Sequence, residues 1–365
     1  MVFGGRSVDD SAARRVLDDG VAAGVYPAAV AEIGSSAGPQ WHCASGRLTY
    51  EEDAPPASLA TVFDLASLTK VIAATSLAMR LADRGALDVE APVAAYLPAW
   101  ADAAHRTVTV RDLLEHSSGL PAWAPLFQTA SGPDEVASAV AALPLDFAPR
   151  ERSVYSDLGF IVLGRVLETA GGLPLDQQFG ALVAEVGSSD WQSLVYLPPR
   201  SWRARTAPTR VDPWRDRLLV GEVDDANAAA MGGVAAHAGL FGTARAVGAF
   251  AGQVLTECRG GSPRPRLARP GTLRAVLTRS RVPGSSRALG WDTMLPTSSC
   301  GTRMSSSAVG HTGFTGTSLW LDPEHDLYAV LLTNRVYPDG GSQEAIRRVR
   351  RAFHDAVMTD RDRWY

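Results

Sequence analysis

The chain has 365 residues, 46% of them hydrophobic and 20% charged, with a formal net charge of -4. That make-up is globular and long enough to bury a large core, in one domain or two closely packed lobes. It excludes a global cationic field for nucleic acid, and every apolar run is broken by glycine, proline or charge before the roughly 18 residues of a membrane span.

The segment Met1 to Asp10 lacks a basic region followed by an apolar core and cleavage site, so the expected compartment is the cytoplasm. Ser11 to Gly24 reads as an amphipathic helix, with Ala12, Val16, Leu17 and Val21 near helical period. Pro27 to Ser35 and Gln40 to Tyr50 read as two strands of a hairpin around Ser35-Ser36-Ala37-Gly38-Pro39. A polar loop, Glu51 to Ser58, leads to Ser67-Leu68-Thr69-Lys70 and the apolar run Val71 to Leu81. As a helix, this run puts Ser67 and Lys70 one turn apart on a single face, at a buried junction.

From Asp83 to about Gly260 the pattern gives helices and long loops. Thr109-Val110-Arg111-Asp112 has capping-box spacing, Asp157 to Thr169 is a strongly apolar helix, and Thr243 can cap a helix from Ala244 to Glu257. Arg259 to Pro270 reads as a flexible loop. Strand character returns at Ala308 to Phe314, Thr317 to Leu321 and Leu327 to Thr333, and a last helix runs from about Ser342 to Met358. The basic clusters Arg264 to Arg269 and Arg347 to Arg351 are short, the first in a loop and the second facing solvent. Cys43, Cys258 and Cys300 are odd in number and widely spaced, which argues against a disulfide framework or a metal site.

The order implies an α/β (α+β) fold in one domain over 1–365. Residues 1–60 and 280–365 build an antiparallel sheet flanked by terminal helices, and 61–279 form an inserted, mostly helical lobe with a cleft at the border.

A serine hydroxyl becomes a good nucleophile only when a neighbour takes its proton, and Lys70 can do so if burial or nearby positive charge depresses its pKa. Tyr155 is either a packed anchor or, near Lys70, partly phenolate and able to move the Ser67 proton to a leaving group. Asp157 has two available roles: N-cap of the helix it opens, or acceptor that orients Lys70. In Gly310-His311-Thr312-Gly313-Phe314, glycine lets a substrate approach an edge strand closely. The amides of Ser67 and Phe314 are the candidate donors for a developing oxyanion. His116 reads as a positively charged cap at a helix C-terminus. His237, in a glycine-rich loop, either lines the cleft or belongs to the scaffold. No two histidines have the close helical spacing of metal ligands.

Ser67-Leu68-Thr69-Lys70, Tyr155-Ser156-Asp157 and His311-Thr312-Gly313, in that order and at those separations, resemble the motifs of the serine beta-lactamase and penicillin-binding-protein superfamily, in its class C beta-lactamase-like branch. Phe63-Asp64-Leu65-Ala66-Ser67, His116-Ser117-Ser118-Gly119-Leu120 and the loop around His237 are similar to further signatures, so the resemblance covers nearly the whole chain. It implies a beta-lactamase/transpeptidase-like fold, Ser67 as the acylated nucleophile, Lys70 with Tyr155 as the base system, His311 as a further catalytic residue, Asp157, Thr312, Gly313, His116 and His237 as supporting or substrate-contacting residues, and no cofactor or metal. Asp157 stands where the family often has asparagine, and His311, with a partial positive charge near neutral pH, replaces the lysine of typical class C lactamases. The implied activity is hydrolysis of a small-molecule ester, amide or peptide. A cytoplasmic peptidoglycan-fragment amidase or D-amino-acid peptidase, a beta-lactamase and a non-catalytic binding homologue are the alternatives. No nucleic-acid or membrane partner is expected, and the oligomeric state is open.

Overall fold

The computed structural model describes residues 11–102, 104–260 and 266–361. Met1 to Asp10 and Arg264 of the first basic cluster lie outside the described residues. Ser11 opens helix α1 (Ala12–Ala22) by accepting the Arg14 N–H at 3.1 Å, as an N-cap serine does. The chain then enters the hairpin β1 (Ala28–Ser35) and β2 (Gly38–Gly46). After the two-residue strand β3 (Phe63–Asp64), the apolar run forms a π-helix over Lys70–Thr75 that continues as α2 (Ser76–Asp83). The expected helix is therefore present but wider in its first turns, where Thr75 Oγ1 donates to the Lys70 carbonyl at 2.8 Å. Such bulges concentrate at functional sites.

The middle of the chain supplies α3 (Val110–Leu114), α4 (Gly132–Ala141), α5 (Asp157–Gly171) and α6 (Leu175–Val186). Strands β4 (Val195–Tyr196), β5 (Val211–Asp212) and β6 (Arg217–Leu218) follow, then α7 (Ala226–Ala230), β7 (Leu240–Gly242) and α8 (Ala244–Cys258). The Thr109–Asp112 capping box and the Thr243 cap both form as expected. The helical middle also contains a three-stranded sheet, β3-β7-β4, and a β5-β6 pair, too short to leave a periodicity in the sequence. Part of the expected flexible loop is anchored: buried Glu257 accepts the N–H groups of Arg266, Leu267 and Ala268 before α9 (Pro270–Leu277).

The last segment adds β8 (Asp292–Thr293), β9 (Val309–Thr312), β10 (Ser318–Asp322), β11 (Leu327–Thr333) and α10 (Gln343–Thr359). These strands join the first hairpin in one antiparallel sheet of order β2-β1-β11-β10-β9-β8. All eight residues of β1 are buried because both faces are covered. Ala29, Ala31 and Ile33 pack with Leu17 of α1 and Phe353 of α10, whereas Val30 joins Val247 and Phe250 of α8 in the larger core. A strand covered on both faces reads as continuously apolar. Among the described residues no single helix is long and apolar enough to cross a membrane. Cys43 and Cys300 are buried and Cys258 is exposed.

Candidate active site

Ser67 sits on a tight turn between β3 and the π-helix. Its predecessor Ala66 has φ of 48°, a left-handed conformation that costs a residue with a side chain, of order 1–3 kcal/mol. The turn is held by buried Asp64, whose carboxylate accepts the Ala66 N–H at 2.8 Å and the Asp224 N–H at 2.6 Å. Burial, with the nearby Asp224 charge, pushes Asp64 up to about 7. From the far side, Thr315 and Thr317 donate to the carbonyls of Asp64 and Leu65 at 2.8 and 3.0 Å. The nucleophile turn and the β9–β10 turn are thus fastened together.

Lys70 is fully buried, and its ammonium donates to Ser67 Oγ at 3.0 Å, Asp157 Oδ1 at 2.6 Å and the His237 carbonyl at 2.9 Å. The Tyr155 phenol faces both Lys70 and the Ser67 hydroxyl. Two expectations change here. Burial alone would lower the Lys70 pKa, but the Asp157 carboxylate and Tyr155 more than reverse it, so it lies above the ordinary lysine value. Burial likewise raises Tyr155, against the opposing pull of Lys70. At neutral pH the resting pair is ammonium and neutral phenol. Asp157 is free to hold Lys70 because Ser156, not Asp157, caps α5, accepting the Gly159 N–H at 3.1 Å.

The histidines differ from expectation in charge. His311, buried on β9, gives its Nδ1–H to the Thr312 carbonyl at 2.9 Å. Burial, then Arg287 and Lys70, hold it well below the ordinary histidine value, so it carries no partial charge near neutrality. His116 ends α3 through its own left-handed backbone, φ 60°, rather than through charge. Its Nδ1 accepts the Ser156 N–H at 3.1 Å, and burial with Arg287 keeps the ring neutral. The two imidazoles flank Tyr155, at 4.6 Å for His116 and 5.8 Å for His311 between ring centroids. His237 faces the cleft beside Ser67, and its Nε2 meets Asp225 at 2.9 Å.

Strand β9 is not an edge along its whole length: Val309 and Gly310 pair with β8, and only from His311 onward is that side open. Thr312 is half-buried there, and Gly313 hydrogen-bonds to the Thr317 carbonyl at 2.8 Å. Among the described residues neither the Ser67 nor the Phe314 amide N–H has an acceptor. The Gly313 carbonyl accepts from Arg350 Nη2 at 2.6 Å. In a trans peptide the C=O and the following N–H point in opposite directions, so this bond aims the Phe314 N–H away from Arg350. Arg350, expected in solvent with the rest of its cluster, is buried under β9. Ser67, Tyr155, Asp157, His237 and Phe314 line one cavity of about 610 Å³.

Sequence reasoning missed Asp64, Asp225 and Arg350, and also Arg287, whose guanidinium stands 5.1 Å from the Tyr155 ring centroid. Only Asp64 left a signal, its place three residues before Ser67.

A family model described as Beta-lactamase matches residues 13–353. An N-acetylmuramyl-L-alanine amidase of Bacillus subtilis (strain 168) is 30% identical over 305 residues, 75% of this chain and 68% of the relative. Among solved structures, EstCE1, a hydrolase with promiscuous acyltransferase activity, superposes with a TM-score of 0.73 at 21% identity, covering 94% of this chain and 97% of the other. A penicillin-binding-protein homologue from Caulobacter crescentus gives 0.72 at 21% identity over 94% and 96%.

Proposed function

The chain belongs to the beta-lactamase family of serine hydrolases, and from that premise we propose that Ser67 is acylated by an ester or amide with Lys70 and Tyr155 as its base system. The observation that carries this reading is the set of three oxygens around Lys70. The Asp157 carboxylate and the His237 carbonyl can only accept, so a Lys70 that has lost one proton keeps its two N–H bonds for them. Its lone pair is left facing the Ser67 hydroxyl, the only one of the three that can donate.

From that state Ser67 Oγ attacks the substrate carbonyl carbon as its proton passes to Lys70, and the oxyanion is received by the Ser67 and Phe314 N–H groups. Collapse breaks the bond to the leaving group, which takes the Tyr155 proton, and Lys70 returns one to Tyr155. Water then attacks the acyl carbon by the same route and releases the acid. His311 and His116, neutral, pack the phenol and take no proton.

Incubation with a fluorophosphonate should add one covalent mass, lost in Ser67→Ala; an unlabelled wild type would end the proposal. Tyr155→Phe should lower acylation by about 10²–10⁴-fold without unfolding, because only the proton-moving hydroxyl is removed. A second reading, an amidase for peptidoglycan fragments, is favoured by the Bacillus subtilis relative. Comparing muramoyl peptides with nitrophenyl esters separates the two, and nitrocefin should turn over more slowly than short esters.

A further inference from the structure

Three of the exposed large hydrophobic side chains, Trp123, Trp214 and Phe314, at 46% to 50% exposure, line the same cavity as Ser67. Exposed aromatics gathered in one concavity mark a binding surface rather than scatter. Each is braced from behind. Fully buried Asn227 grips the Trp123 loop with both ends of its amide, donating to the Ala124 carbonyl at 2.9 Å and accepting the Phe127 N–H at 3.0 Å. The Trp214 N–H donates to Asp212 at 2.7 Å, and its ring meets Phe127 edge-on at 5.0 Å. Arg335 forks onto the Phe314 carbonyl at 2.6 and 3.1 Å. The backbone beneath each ring is fixed before any ligand arrives, which lowers the entropy cost of binding against them.

The carboxylates around them are already engaged by partners. Asp157 pairs with Lys70, Asp212 with Arg215, Asp224 with Arg210 and Asp225 with His237. Cations also occupy ring faces, Arg210 and Arg335 at Phe314 and Arg215 at Trp214. A charged guest would lose hydration, and among the described residues each carboxylate and the one guanidinium lining the cavity already have a partner. An uncharged ring would lose nothing and gain aromatic contact.

We propose that this cavity is the acyl subsite and that it selects an uncharged, ring-bearing acyl group. The proposal rests on Ser67 as nucleophile, since only the acyl half stays bonded to Ser67 through both steps and must be housed where Ser67 opens. An acetyl group would leave most of the roughly 610 Å³ to water.

The test is a panel of p-nitrophenyl esters: acetate, hexanoate, cyclohexylacetate, phenylacetate, and phenylacetates carrying a para-ammonium or para-carboxylate group. Phenylacetate should exceed hexanoate in kcat/KM by roughly 3- to 10-fold, the worth of an aromatic contact beyond its area, and cyclohexylacetate, which has the ring's shape without its π-face, should exceed hexanoate by less. Both charged phenylacetates should fall below the neutral one. Trp123→Ala and Trp214→Ala should remove the ring preference, lowering kcat/KM for phenylacetate by a larger factor than for acetate. Equal or faster turnover of acetate, a preference for either charged ester, or an equal loss on every ester in both variants would overturn the subsite. Turnover of acetate with no ring preference would sink this inference and spare the Ser67 reading. A panel without turnover or a covalent adduct would sink both.

Discussion

Replacing Gly313 by alanine asks whether the two free amides depend on the close approach of the β9 end to the nucleophile turn. The added Cβ would stand 2.1 Å from Thr317 Oγ1, 2.7 Å from the Leu65 carbonyl oxygen and 3.1 Å from Ala66 Cβ. Such contacts relax only near about 3.5 Å, so the two turns must part by roughly 1 Å and the Thr317 bond to Leu65 must open. For stability this means about 1–3 kcal/mol of overpacking and about 1 kcal/mol for the lost hydrogen bond. For catalysis the loss is larger in effect: a displaced oxyanion donor costs about 10²–10³-fold in rate. Stopped-flow acylation by a p-nitrophenyl ester gives the rate, and thermal unfolding gives the stability. Acylation should slow by about two orders of magnitude while each folded molecule still takes up one acyl group. An acylation rate within about threefold of the parent, in a protein that keeps its fold, would refute the reasoning.

Activity should rise with pH through neutrality into the alkaline range, because burial raises Tyr155 and Asp157 holds Lys70 up, and the step requires a proton lost from that pair. Asp157→Asn removes the charge that raises both groups, so the limb should move to lower pH; a pH-rate profile that stays put would reject Asp157 as the cause. Arg350→Lys keeps the charge but not the reach to two carbonyls, and should lower kcat for acylation more than it changes KM. Equal loss in both would make Arg350 a purely structural group. Glu32, buried in β1 against Tyr328 and Arg245, is pushed by desolvation up to about 7. The folded state therefore keeps a proton that the unfolded chain releases near its ordinary value of 4.5. Stability from Glu32 is fully present below that value and falls as pH rises to about 7, by about 1.4 kcal/mol per unit. Urea unfolding between pH 5 and 8 should show the decline, and Glu32→Gln should lessen it, leaving the part that Asp64, also pushed up to about 7, contributes; parallel curves would rule Glu32 out.

What was legible in the sequence was local or strongly periodic. Thr109 and Asp112 cap their own helix, and the alternating and continuous apolar runs of β1, β10 and β11 announce strands, so the architecture follows from patterns a few residues long. Ser67 and Lys70 were legible as residues one helical turn apart at the start of an apolar run, and Tyr155 through the motif that carries the family resemblance. The electrostatics were not. Lys70 becomes an ammonium through Asp157, 87 positions away, and His311 is neutralised by burial and by Arg287. Neither neighbour is visible in any window of sequence. Ser156 and Asp157 are both good caps, and the structure gives the task to the serine, which frees the carboxylate. Arg350 looks like its solvent-facing neighbours until the helix packs it beneath Gly313.

The central place of β1 in its sheet has a consequence for synthesis. It pairs with β2 at once, but its other neighbour, β11, is translated only after the whole helical middle of the chain. Until β11 is made, β1 therefore offers the nascent chain's surroundings an open row of backbone donors and acceptors along eight residues destined for the interior. Every residue of the proposed reaction centre has left the ribosome before that row is closed, so newly made chains pass through a stage vulnerable to aggregation, one that a chaperone holding the early hairpin would shorten.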